Sequence, residues 1–464
     1  MKRSLLTAFW IVFLAGAFAQ QGVLDQTFGI GGKVVTTSPL INSHSIEGKG
    51  IALQQDGKII VVGGALSTTD SSSFVVFRFN ENGTLDNSFG LNGVVTTSVN
   101  LYGKSGAGAV AVQLDGKIVV GGYAVYDSAG SYNTALTRYN NDGTLDSSFG
   151  LNGIVNDIIN PTWYEGNSIN RIIILPNGKI LAGGKNTLSI VYQYNSQGQL
   201  DMVYSTPFTS NAVNAILVQS DGKVLGGCSR GLGINRFKTT GSSDSSFGNY
   251  TGQSFLNLNY DSSYGYNACL QQNGKIILAG EAWLGGKSYI VMGRLTTDGV
   301  VDSSFGNNGN VITSVGNAND RATNLIQLTN GNLLVTGSTS FNNGTPGNSD
   351  FVLLQYNKDG LLDSSFGIHG KIITDFDGSE DNAISSTVQL DGKIIVLGRT
   401  FQNGIWKIAM ARYERNSISN YNTIVGNVFF DKNSNAIKDP NETYYNMAKI
   451  EVVKPNFDTI GISS

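Results

Sequence analysis

A short turn recurs seven times along the chain and limits what it can fold into. Asp56-Gly57-Lys58, Asp115-Gly116-Lys117, Asn177-Gly178-Lys179, Asp221-Gly222-Lys223, Asn273-Gly274-Lys275 and Asp391-Gly392-Lys393 share one pattern, and Asn330-Gly331-Asn332 is a degenerate copy. The glycines are separated by 59, 62, 44, 52, 57 and 61 residues. Asp-Gly or Asn-Gly between apolar runs is a strong hairpin signal, because the turn needs positive φ. Periods this long hold several strands, which favours a propeller over a thin solenoid. The competing parallel β-helix has shorter coils and lacks tight Asp-Gly hairpins.

Each turn sits in the same frame. An apolar strand such as 109–113 precedes it, and a second, such as 118–120, follows. Five residues beyond the lysine position stand Gly63, Gly122, Gly184, Gly280, Gly337 and Gly398, with Cys228 in the fourth copy. A small residue fixed at one depth of a strand implies crowding there. A third strand carries Arg78, Arg138, Gln193, Arg236, Arg294, Gln355 or Arg412 at its centre. Eight residues later comes Asp86, Asp146, Asp201, Asp244, Asp302 or Asp363, mostly followed by Phe-Gly and a fourth short strand such as 94–97. Four strands in each of seven units predict an all-β, seven-bladed propeller.

The ends of the array interlock. The segment 24–37 is the last quarter of a unit, and the array closes on the third strand of a unit at Arg412, with Asn420 where Asp would fall. Residues 33–37 are therefore expected to pair with the strand around Ile405 to Tyr413 and clasp the ring, removing exposed sheet edges.

With Asp-Gly-Lys-Ile-x-Val-x-Gly and Leu-Asp-x-Ser-Phe-Gly recurring in register over residues 24–415, the unit resembles the bacterial delta-60 repeat family, a distant relative of NHL-type propellers. The copy at Leu200-Asp201-Met202-Val203-Tyr204-Ser205 lacks Phe-Gly. The resemblance implies a propeller in exported bacterial proteins and carries no activity. Residues 424–464, beginning Ile424-Val425-Gly426-Asn427-Val428-Phe429-Phe430, resemble the start of an SdrD-type B domain, an immunoglobulin-like stalk module. About 41 residues of it are present, so the chain reads as cut short, with 416–423 as a linker. Within it Asp431, Asn433, Asn435, Ile437, Asp439 and Glu442 fall at the oxygen-ligand positions of an EF-hand-like calcium loop, although Ala436 replaces the usual glycine.

Lys2 and Arg3, the apolar run 5–18 and the small-x-small site Ala17-Phe18-Ala19 read as a signal peptide of residues 1–19, which places the mature chain, 20–415 and onward, outside the cell or on its surface. No membrane span is expected after cleavage. A net charge of -3 gives no electrostatic reason to expect nucleic acid. The two cysteines, Cys228 and Cys269, read as buried free thiols.

No catalytic constellation stands out. His44 and His369 are far apart in sequence, so a histidine-based triad or zinc cluster has little to draw on. The repeated aspartates read as turn residues that accept backbone N–H groups or pair with the arginine eight residues earlier. The turn lysines read as solvated. Asp375, Asp377, Glu380 and Asp381 form one acidic loop, read as solvated, with calcium as the alternative.

Function is therefore expected on variable loops. Those joining second and third strands, with the blade linkers, share one face and carry many aromatics, Tyr123, Tyr126, Trp163, Tyr164 and Trp283 among them. Trp163 and Trp283 are the chief candidates for contact with an extracellular glycan or protein. The same aromatics could instead cap the blade ends. The function expected is a binding or adhesion scaffold. The alternative is a carbohydrate-active lyase or hydrolase, which requires acids converging at a channel mouth.

Overall fold

Alternating apolar residues flanking the glycine turns zip into antiparallel hairpins, and these build the blades. A computed structural model describes residues 22–37, 45–66, 73–99, 104–125, 131–157, 167–185, 190–205, 212–229, 231–256, 258, 260–341, 349–414, 450–453 and 459–463. Seven four-stranded antiparallel sheets form the propeller: blades one to six span 45–97, 105–157, 168–205, 213–256, 262–313 and 320–374, and blade seven combines 381–413 with Lys33–Thr36. The ring belongs to a unit of residues 20–415. Separately, Ile450–Val453 pairs with Thr459–Ser463 as a two-stranded hairpin. The rest of the tail, its calcium-loop residues included, and the first 19 residues lie outside the described residues. No described helix is long and apolar enough to cross a membrane.

The clasp forms on the expected strand. Lys33 pairs with Ala411 and Thr36 with Ile408, so the N-terminal strand is the outer strand of blade seven. Phe28 buries its ring in the same seam.

Apolar burial is concentrated between blades. Of the seven buried clusters, each joins two adjacent blades: Phe351, Leu353 and Phe366 of blade six meet Ile394, Val396 and Tyr413 of blade seven, and the other seams repeat the pattern. Each fully buried Val, Leu, Ile or Phe contributes about 1.5–3 kcal/mol, so blade-to-blade packing is the main source of stability.

The fixed glycine has a specific cause. Every innermost strand carries a one-residue bulge at the same depth, for example between Ala107 and Ala109. The bulge drives a backbone carbonyl toward the second strand, where a Cβ on Gly122 would sit 1.9 Å from the Gly106 oxygen. The copy at Leu200 also departs for a visible reason: its outer strand, Leu200–Ser205, begins at once, with no Phe-Gly loop. Tyr204 meets Phe237 of the next blade edge-on there, at 5.9 Å. Cys228 is buried and Cys269 half-buried, no disulfide joins them, and burial pushes the Cys269 thiol up to about 12.

Candidate functional site

Because neighbouring strands run antiparallel, the glycine turns and the loops between third and fourth strands share one end of every blade. A charge clamp repeats at that end. In blade two, Asp146 Oδ1 accepts from the Ser148 amide and hydroxyl at 3.1 and 2.7 Å. Its Oδ2 meets Arg138 Nε at 2.7 Å and Lys117 Nζ at 2.9 Å. The guanidinium lies 4.5 Å from the Phe149 ring and donates to the Ser196 carbonyl of blade three at 2.5 Å. Thus the arginine binds its own blade to the next.

Five seams are stapled in this way, through Arg78, Arg138, Arg236, Arg294 and Arg412 reaching carbonyls of Asn141, Ser196, Thr297, Lys358 and Glu81. Blades three and six carry Gln193 and Gln355, which donate to their own Asp201 and Asp363, Gln193 also accepting from Tyr204 of the same blade, so among the described residues seams three–four and six–seven have no arginine staple. The clasp supplies its own carboxylate: Asp25 meets Arg412 at 2.7 Å and Lys393 at 2.8 Å. The turn lysines are therefore not simply solvated, as the sequence suggested. Lys58, Lys117, Lys179, Lys223, Lys275 and Lys393 all reach a repeat aspartate. Despite burial, the hydrogen bonds and cations hold Asp25, Asp86, Asp146 and Asp302 well below the usual carboxylate range and Asp244 at about 2. These acids are committed to structure.

The opposite end is where loops vary. Tyr126, Trp163 and Tyr164 lie outside the described residues. Tyr123 is half-buried and meets the exposed Tyr132 edge-on at 5.3 Å. Trp283 is half-buried, beside the Gly285-Gly286 turn, and pairs across strands with Ser262 and Ser288. On the adjoining strand Lys287 lies over the Tyr289 ring at 5.1 Å, and Tyr260 stands 6.3 Å from that ring. A second group unites Phe401, which is exposed, with Trp406 at 5.2 Å and Arg399 4.0 Å over the indole. Arg399 pairs with Glu47 of blade one, which also meets Lys49 at 2.5 Å. Sequence reading singled out neither Trp406 nor Arg399, because both fall within regular strand pattern.

The acidic loop does not behave as one unit. Asp377 is exposed in a turn at φ 63, and Glu380 accepts from Asn382 at 3.2 Å. Asp375 and Asp381 instead converge with Asp350, each offering a carboxylate oxygen within 4.8 Å of the others. Asp350 lies at the start of the third strand of blade six, Asp375 just after its fourth strand, and Asp381 opens the first strand of blade seven. The trio therefore spans the unstapled six–seven seam. Asp350 is 25–31 residues away in sequence and had no motif to flag it.

Asp381 is fully buried and accepts the Phe376 amide at Oδ2, 2.6 Å away. Its Oδ1 and the nearby Thr400 hydroxyl complete no aligned hydrogen bond. Burial raises its pKa to about 7, with Asp375 and Asp350 adding to the rise and Thr400 and Phe376 opposing it. Burial, and then Asp375, also raise Asp350.

A protein-family model described as a β-propeller domain of unknown function (DUF5122) matches residues 54–89, 113–149, 271–305, 328–366 and 389–417. These segments fall on blades one, two, five, six and seven. The unmatched third and fourth blades hold the missing Phe-Gly and Cys228. No curated protein matches the sequence. Among solved structures, a streptogramin B lyase is 13% identical over 82% of this chain and 97% of its own, with a TM-score of 0.49. YCF48 bound to D1 peptide is 11% identical over 84% and 97%, at 0.46. A protein of unknown function from Dyadobacter fermentans is 10% identical over 83% and 98%, at 0.44. At these identities and scores the likeness carries no inference about activity. The chain is a β-propeller repeat protein.

Proposed function

We propose that the chain is an exported binding scaffold of the delta-60 type, which presents the variable-loop face of its propeller to an extracellular glycan or protein. In this reading residues 1–19 direct export, and residues 424–464 begin an SdrD-type B stalk whose loop at Asp431, Asn433, Asn435, Ile437, Asp439 and Glu442 takes calcium. The propeller adheres at the cell surface or after secretion.

The observation that carries the reading is the pairing of solvent-reached aromatics with cations on that face, Phe401–Trp406–Arg399 and Tyr260–Tyr289–Lys287 beside Trp283. A flat ring offers a sugar or a side chain large contact area at little entropy cost, and an adjacent cation adds polar anchoring. The enzymatic alternative has less support, because the acids that converge sit on a blade seam that includes third and fourth strands. Glu47, on an innermost strand, is bound by Arg399 and Lys49.

The test is binding of the full chain, by biolayer interferometry, to chitin and cellulose oligomers, peptidoglycan fragments and mucin. Micromolar affinity for one, cut about tenfold (~1.4 kcal/mol) by Trp283→Ala or Trp163→Ala without earlier melting, supports the reading. Variants that melt early yet bind as the parent does would reduce the face to packing.

A further inference from the structure

From the convergence of Asp350, Asp375 and Asp381 across the sixth and seventh blades, we infer a calcium site that ties this seam together. Two oxygens on one calcium, each at about 2.4 Å, can be no more than about 4.8 Å apart. The three carboxylates meet that limit within 4.8 Å. All ligands are oxygen, which suits a hard cation.

Charge balance points the same way. No described Lys or Arg forms an ion pair with any of the three, whereas the clamp aspartates meet cations. Lys33 donates to the Asp375 backbone carbonyl, not its carboxylate, at 2.6 Å and lies 5.3 Å from the Phe376 ring centroid. Asp375 Oδ1 accepts the Gly378 amide at 2.7 Å, which leaves its other oxygen for a ligand.

The second observation is Asp381 itself. It is fully buried, and its Oδ1 has only the Thr400 hydroxyl nearby, with which it completes no aligned hydrogen bond, a costly state for an acceptor unless something fills it. The preceding blade supplies the contrast. Asp320, at the equivalent position and also fully buried, has Oδ1 saturated by the Gly316 amide at 3.0 Å and the Thr339 hydroxyl at 2.6 Å, and Oδ2 by the Val315 amide at 2.7 Å. In blade seven the Gly316 equivalent is Asp377, whose amide makes no such bond, and two further carboxylates approach instead. The seam also lacks the arginine staple, with Gln355 where five other blades carry arginine, and its direct links are hydrogen bonds such as Lys33 to the Asp375 carbonyl and Asn324 to the Ser386 carbonyl; a cation held between Asp350 and Asp375 on one blade and Asp381 on the next would add an ionic link.

The experiment is calorimetric titration of calcium chloride into the full chain carrying Asp431→Ala and Glu442→Ala, so that the tail cannot contribute, together with melting curves in calcium and in chelator. One calcium per chain is expected, with a dissociation constant on the order of 0.1–1 mM and a melting temperature raised by calcium. Asp375→Asn, at an exposed position, and Asp381→Asn should each weaken binding at least about tenfold (~1.4 kcal/mol), while Asp377→Asn should not. If Asp381→Asn does not fold, Asp375→Asn and Asp350→Asn decide the matter. No heat and no melting shift at 10 mM calcium (~10 times the weakest expected constant), equal weakening by Asp377→Asn, or unchanged binding in Asp375→Asn overturns the site.

Discussion

At one end of five blades a carboxylate meets both a guanidinium and an ammonium; at the other end of the sixth and seventh blades three carboxylates meet neither. Asp146 and Asp381 are both nearly or wholly buried, yet their ionisation is shifted in opposite directions. Asp146 is held ionised by Lys117, Ser148 and Arg138, whereas Asp381 is pushed up to about 7 by burial and its acidic neighbours. Burial alone therefore does not say what an acid does here. The clamp has the charge complement of a structural joint. The trio has no cation paired with it among the described residues.

The clasp offers the largest effect by which to sharpen this contrast. Deleting residues 20–38 removes the outer strand of blade seven and Phe28, and strips Asp25 from Arg412 and Lys393. Losing one partner of a buried ion pair costs about 3–5 kcal/mol, and the buried ring about 2 more. Calorimetry should show melting lowered by about 10 °C. An unchanged transition would mean that the joint contributes little.

Next in size is a single clamp. Arg138→Ala leaves Asp146 without its guanidinium and seam two–three without its staple, and should cost about 3 kcal/mol in urea unfolding. Gln355→Ala, where no staple exists, should cost about 1 kcal/mol. Equal costs at the two positions would break the claim that the arginine acts between blades.

Acid should unfold the ring from the clamp end. A carboxylate with a depressed folded pKa contributes stability that is complete above its unfolded value and lost as pH falls through its folded value. Asp244, lowered from 3.8 to about 2, with Asp25, Asp86, Asp146 and Asp302 lower still, sets the window from about pH 4 to pH 2 and below. Melting temperatures across pH 2–5 (~2 units around the unfolded value) should fall steeply on the acid side. A flat profile would remove the clamps from the stability account.

The smallest effect has the opposite sign. Asp381, raised from 3.8 to about 7, contributes stability that is complete below about pH 4 and lost as pH rises through about 7. In chelator, Asp381→Asn, a mimic of the protonated acid, should therefore melt slightly higher than the parent at pH 8 and no higher at pH 4. Equal shifts at both pH values would mean that neither burial nor the neighbouring carboxylates raise Asp381.

The strand order, the seven blades and the clasp could be read from the chain alone, because each rests on local chemistry repeated in register. Asn-Gly and Asp-Gly force hairpins, alternation assigns faces, and a unit split between the two ends has one way to close. The fixed glycine revealed crowding but not its source, a carbonyl displaced by a bulge on the neighbouring strand. The lysines looked solvated because the aspartates they reach are 21–29 residues away, and Lys393 reaches Asp25 across the closure. Trp406 and Arg399 were hidden for a related reason: strand periodicity tells which side a residue takes, not which neighbour it meets. Asp350 joined Asp375 and Asp381 only when two blades packed side by side. The sequence carried the repeat, since hairpins are decided by neighbours along the chain. The cation-poor seam was decided by tertiary structure, since electrostatic balance depends on what lies within a few ångströms in space.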